Sequence, residues 1–135
     1  IAHRRLDGYL RAAEEKNITV SNERIWHLPE SDRHFARQAA KEVLTSSPRP
    51  NVVLCMSDII ALELLHLALD MNIKVPEELK ITGFDGIGEA ERARPRLTTV
   101  CQSSSGKGVE ATKALLNQVT AKSTLPFELQ VGETV

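Results

Sequence analysis

Six side chains in this sequence are of the kinds that hold small polar molecules: Arg5, Trp26, Ser57, Asp58, Asp85 and Gln102. An ionised carboxylate accepts from two hydroxyl or N–H groups, and a guanidinium donates a planar fork. Ser and Gln add neutral hydrogen bonds, and an indole offers a flat apolar wall. Together they suit a polyhydroxylated or heteroaromatic ligand that is gripped rather than transformed. The residues that catalysis or metal binding needs are not arranged for it. His3, His27, His34 and His66 show no HExxH or i, i+4 pairing, and Cys55 and Cys101 are too far apart for a CxxC pair. Ser103-Ser-Ser-Gly106 lacks the GxSxG setting of a hydrolase elbow, and neither GxGxxG nor GxxxxGK[ST] occurs. The expectation is a binding protein: not an enzyme, with no metal and no cofactor.

Each of the six also has an ordinary structural use. Asp58 can cap a helix, Trp26 can pack in a strand core, and Asp85 can order the glycine turn after it. Arg5 can pair with Asp7 or Glu14, and Gln102 can be a polar edge residue. What argues for a site is their shared place in the secondary structure. Val75-Pro-Glu-Glu-Leu-Lys-Ile-Thr-Gly-Phe-Asp85 reads as a turn, a short buried strand and an acid at its carboxyl end. Parallel α/β proteins bind ligands just outside such strand ends.

The remaining elements alternate. A helix is expected over residues 2–16 with Asn17 as its stop, then a strand over 23–28 ended by Pro29. Ser31 or Asp32 would cap a helix to about Thr45 that buries Ala36, Ala39, Ala40, Val43 and Leu44. Asn51–Met56 is a continuous apolar run, which predicts a strand covered on both faces. Ser57 or Asp58 would cap a helix over 59–71, followed by the strand at 80–84, a loop through Gly86–Arg96 and a strand over 97–102. A helix from Ser104 or Ser105 to about Ala121 and a last strand over 124–131 complete the order. This predicts an α/β fold with a parallel sheet and helices on both faces. Trp26, Ser57, Asp58, Asp85 and Gln102 then fall at or beside strand carboxyl ends, with Arg5 in the first turn of a helix on the same rim.

Helix 59–71 is apolar nearly all round, which calls for burial on more than one side. We expect a subunit interface there ahead of burial wholly within the chain. The 135 residues fit one domain, and 17 basic against 18 acidic residues give no electrostatic case for direct contact with nucleic acid or an anionic membrane. No run is long enough to span a membrane, there is no signal peptide, and the two cysteines read as buried free thiols, pointing to a cytoplasmic setting. A start at Ile1 rather than Met leads us to expect a processed chain or a piece of a longer one.

"RRLDGYLRAA", "VVLCMSDIIALELL", "VPEELKITGFDG", "PRLTTVCQ" and "GVEATKALL" occur here in that order. In motif order and spacing, essentially the whole chain resembles the effector-binding half of the lactose/galactose-repressor family of bacterial transcription regulators. The resemblance implies a periplasmic-binding-protein-like subdomain, a fragment of a two-lobed fold. Residues 1–97 and 124–135 would form the C-terminal subdomain, and 98–121 the strand and helix that normally belong to the N-terminal one. It implies binding of a sugar-like metabolite between two lobes and control of operator DNA through a helix-turn-helix that this chain does not contain. Arg5 and Asp85 would carry the effector contacts, with Trp26 as an aromatic wall. Ser57 stands where many members have a polar residue, often Asn, Gly86 replaces a second acid, and Ser104 sits where some place an aromatic. A homodimer would form through Leu62, Leu65, His66, Leu69 and the loop near Pro95. The alternative is a transport-type sugar-binding protein of the same fold, which a secretory signal upstream would favour.

Overall fold

Residues 2–29, 32–116 and 124–135 are described by the structure, a computed structural model. The chain opens with α1 (Ala2–Glu15), which stops where Asn17 turns into the left-handed region at φ 58°. There the Ile18 amide donates to the Ala13 carbonyl, 2.9 Å, satisfying one of the last helical acceptors. A 3-10 turn at Asn22–Arg24 follows. The expected strand over 23–28 does not form. Ile25 is extended, yet no neighbouring strand offers it a ladder among the described residues, and Ile25 and Trp26 are only half-buried.

The next helix is α2 (Arg33–Thr45), capped by Asp32, whose carboxylate accepts from the Phe35 amide at 3.0 Å. The other expected cap, Ser31, lies outside the described residues. Ala36, Ala40, Val43 and Leu44 are buried as their spacing predicts, and Ala39 is half-buried. Then come β1 (Val52–Leu54), α3 (Asp58–Asp70), β2 (Lys80–Asp85) and α4 (Gly88–Arg92). They are followed by β3 (Thr98–Gln102), α5 (Ser104–Leu116) and β4 (Phe127–Gln130). The charged stretch read as a loop thus holds one short helix, α4, whose buried residue is Ala90. The expected continuation of α5 to about Ala121 lies outside the described residues.

The four strands among the described residues form one sheet in the order β1-β2-β3-β4, parallel through β3 and antiparallel at β4. β3 pairs with β2 from Thr82↔Thr98 to Asp85↔Cys101, so strand 98–102 belongs to this sheet. One face carries Ile81 and Gly83 under α3, and α2 packs on the outside of α3. This layering accounts for a helix that is apolar all round: α3 lies between the sheet and α2. Leu62 and Leu65 are 3% and 0% exposed within the chain, which corrects their assignment to a subunit surface. On the outer side of α3, His66 is exposed and Leu69 partly so, and Pro95 is half-buried.

The other face is open. Val52 and Leu54 are 47% and 46% exposed, so β1 is not covered on both sides as its apolar run suggests. Alternation adds Phe84, Val100, Leu129 and Phe127 to the same face. At the amino ends of β2 and β3 the chain returns as a plug. The Ile81 amide donates to the Thr134 carbonyl, 2.9 Å, and the Thr134 hydroxyl donates to the Ile81 carbonyl, 2.7 Å. The same hydroxyl accepts from the Thr98 amide at 3.0 Å, and Thr134 is wholly buried.

Candidate functional site

At the opposite, carboxyl ends of β2 and β3, the sequence delivers Asp85 and Gln102, and α1 brings Arg5 across to them. The Arg5 guanidinium donates through Nη2 to Asp85 Oδ1, 3.1 Å, and through Nη1 to the Met56 carbonyl beyond β1. Its Cζ lies 3.8 Å from the centre of the Phe84 ring, a cation–π arrangement that holds the fork flat. Gln102 Nε2 donates to the same Asp85 Oδ1 at 2.8 Å, and Lys107 Nζ donates to Gln102 Oε1 at 2.6 Å. One turn along α1 from Arg5, the Tyr9 hydroxyl donates to the Cys55 carbonyl, 3.4 Å, and burial pushes its pKa up.

Asp85 is half-exposed and has φ 121°, a value uncommon outside glycine. Its Oδ1 accepts from both Arg5 and Gln102. Beside it opens a cleft of about 320 Å³, walled by Phe84, Val100, Gln102, Ser103, Lys107, Leu125, Pro126 and Phe127. The cleft is lined mainly by apolar groups, with the polar atoms of Gln102 and Lys107 at its edge. Such a surface can stack a ring on Phe84 or Phe127 and presents the Gln102 amide, the Ser103 hydroxyl and the Lys107 ammonium to its substituents.

Arg5, Asp85 and Gln102 are therefore brought together, in direct hydrogen-bonded contact. The other three expected site residues are used differently. Ser57 caps α3, its hydroxyl accepting from the Ile60 amide at 3.5 Å. Asp58 is wholly enclosed: Oδ2 accepts from the Gly86 and Ile87 amides, each at 2.8 Å, and Oδ1 from the Thr99 hydroxyl. Enclosed with no exposed surface, it lies out of a ligand's reach, which corrects its placement among the ligand contacts. Trp26 packs half-buried against the core from an irregular segment rather than from a strand end. Sequence reasoning missed Phe84, Tyr9 and Lys107. The i, i+4 spacing of Arg5 and Tyr9 and the strand alternation of Phe84 were the available signals.

The sequence matches the periplasmic binding protein-like domain over residues 1–135. The chain belongs to this family. Its relatives are transcriptional repressors rather than enzymes. The HTH-type transcriptional repressor PurR of Yersinia pestis is 32% identical over 128 residues, covering 94% of this chain and 37% of the repressor. PurR of Vibrio vulnificus is 34% identical over 119 residues, covering 87% of the chain and 35% of the repressor. The chain thus spans little more than a third of the length of these curated relatives.

Solved structures agree on the fold. The transcription regulator GntR from Chromobacterium violaceum has a TM-score of 0.89 and 28% identity, covering 98% of this chain and 51% of that one. The transcriptional regulator CelR in complex with cellobiose has a TM-score of 0.83 and 26% identity, covering 97% and 42%. The periplasmic binding protein-like domain of this chain is thus a fragment of a larger domain, and no helix among the described residues is long and apolar enough to cross a membrane.

Proposed function

We propose that this chain is the effector-sensing and dimerisation region of a bacterial transcription regulator that works in the cytoplasm. A sugar-like metabolite would bind between two lobes, fixing their relative orientation and thereby the operator affinity of a helix-turn-helix outside this chain. The observation that carries this reading is the Arg5–Asp85–Gln102 cluster. Three polar side chains from α1, β2 and β3 meet at strand carboxyl ends, above an aromatic platform. The cellobiose complex of CelR supports a sugar as the ligand class.

In this reading Asp85 and Gln102 take ligand hydroxyls, Arg5 takes a ring or glycosidic oxygen, and Phe84 stacks the apolar side of the sugar. Trp26 would be a more distant wall, and Ser57 serves mainly as the helix cap. Residues 1–102 and 124–135 form one lobe, because β3 is paired within its sheet, and helix α5 belongs to the other. The homodimer uses His66 and Leu69 on the outer side of α3 together with the Pro95 loop.

The test is an Asp85→Ala substitution in the full-length regulator. Its thermal shift is read across a panel of sugars and nucleobases, and its operator affinity is measured with and without each. Loss of the effector response with ligand-free operator binding retained is the expected result. A normal response in the variant would sink the assignment. The isolated chain carries one wall of the cleft, so titration calorimetry should find weak or absent sugar binding. Micromolar affinity would contradict that.

A further inference from the structure

Asp58 is a buried carboxylate whose three hydrogen-bond donors are all neutral. Two of them are the amides of Gly86 and Ile87, which directly follow Asp85. The third, the Thr99 hydroxyl, reaches it from β3, the strand that also supplies Gln102. The carboxylate sits at the amino end of α3, where the helix dipole favours a negative charge. Two glycines are shaped around this arrangement. A Cβ at Gly83 would lie 2.2 Å from Asp58 Oδ1, and one at Gly86 would lie 2.5 Å from Cys101 Sγ. Asp85 at φ 121° and Gly86 at φ 73° then take the chain off β2 through two successive positive φ values. A residue held in such a conformation persists only where its surroundings fix it. The bonds that fix this turn immediately after Asp85 end on Asp58.

We infer that Asp58 is the positioning residue for Asp85: by clamping the Gly86 and Ile87 amides, it sets the turn that aims the Asp85 carboxylate at Arg5 and Gln102. Its meaning for function rests on the proposed role of Asp85 in gripping an effector, but the positioning itself is read without any ligand. Asp58 itself does not reach the ligand site. It acts on the ligand site from inside the fold, through two backbone N–H groups.

The experiment is NMR on the full chain, following amide exchange together with the Arg5 side-chain nitrogen resonances. In Asp58→Ala, exchange at Gly86 and Ile87 should quicken by roughly tenfold or more, relative to the Leu64 and Ile81 amides of the core. The Arg5 signal should move to the position it takes in Asp85→Ala. Asp58→Asn can still accept both amides and donate to Thr99, and it should return both readouts most of the way to the parent. A merely structural role would quicken exchange at all four amides alike and leave Arg5 at its parent position; that outcome overturns the inference. So does an unmoved Arg5 signal beside quickened Gly86 and Ile87 amides.

If Asp58→Ala does not fold, Thr99→Val removes one donor from the clamp with little change of volume. It should quicken the same two amides by roughly threefold and shift Arg5 in the same direction. No change at either readout would then overturn the inference. Because these measurements use no effector, failure of the sugar reading in the full-length regulator leaves their outcome untouched, and the two results separate.

Discussion

α3 and α5 are both helices of thirteen residues, each following a strand of the same sheet, and they end in opposite environments. α3 buries seven residues: Asp58, Ala61, Leu62, Glu63, Leu64, Leu65 and Ala68. Even Glu63 is paired, with Arg33 at 3.0 Å and Arg37 at 3.7 Å reaching over from α2. α5 buries none, and its Leu115 and Leu116 are 79% and 76% exposed. The difference lies in what each helix has to pack against. α3 has the sheet beneath it and α2 above it, whereas the described residues offer no such layers to α5. Apolar content therefore reports what a helix is built to bury, and only the rest of the fold decides whether that burial happens within the chain.

The largest effect that sharpens this contrast should come from Leu65→Ala. Removing a wholly buried leucine between two layers should lower the unfolding free energy by about 3 kcal/mol, read from urea denaturation. Gly83→Ala attacks the same side of the sheet from beneath, because the new Cβ would fall 2.2 Å from Asp58 Oδ1. A loss of about 2 kcal/mol is expected in the same assay. If Gly83→Ala proves neutral, the α3 side is looser than described and the contrast weakens.

A pH titration probes the same layer without changing its volume. Burial, followed by the nearby Asp58 charge, pushes the Cys55 thiol from its ordinary 9.0 up to about 12. The unfolded chain releases this proton first, so the stabilisation is complete below pH 9 and is lost as pH rises toward 12. Between pH 8 and pH 10 the loss should be about 1 kcal/mol in the parent and smaller in Cys55→Ala, measured by chemical denaturation at each pH. The smallest effect belongs to the other helix. Leu115→Ala should change stability by less than about 0.5 kcal/mol. A loss comparable to that of Leu65→Ala would show α5 to be packed in solution and would break the comparison.

Much of the frame was legible in the residues. The run from Val75 to Asp85 gave β2 and its terminal acid, and Asn17 stopped α1. Asp32 capped α2, and the apolar circumference of α3 announced burial on two sides. The misreadings share a physical cause: each depended on a neighbour that periodicity does not reveal. Residues 23–28 have strand composition but no strand beside them among the described residues, and Val52 and Leu54 have core composition but an open face. Leu62 and Leu65 look like interface residues in the sequence because the packing of α2 on α3 is a tertiary fact. In the site, Arg5, Asp85 and Gln102 were reachable through strand-end logic. Ser57 and Asp58 are adjacent polar residues at one helix start, and only the fold decides which one caps it. Ser57 takes that place, leaving the Asp58 carboxylate for the turn after β2.

The Thr134 plug has a consequence for how the protein is made. Its hydroxyl and backbone seal β2 to β3 at their amino ends, yet it lies 36 residues beyond Thr98 and 53 beyond Ile81. During synthesis, all three parallel strands and α5 leave the ribosome before the residue that closes them does. The sheet must therefore wait, part-joined and with Ile81 and Thr98 short of their partners, for a late loop closure. The interval in which a chaperone has most to protect is set by the arrival of Thr134, and not by the apolar residues that precede it.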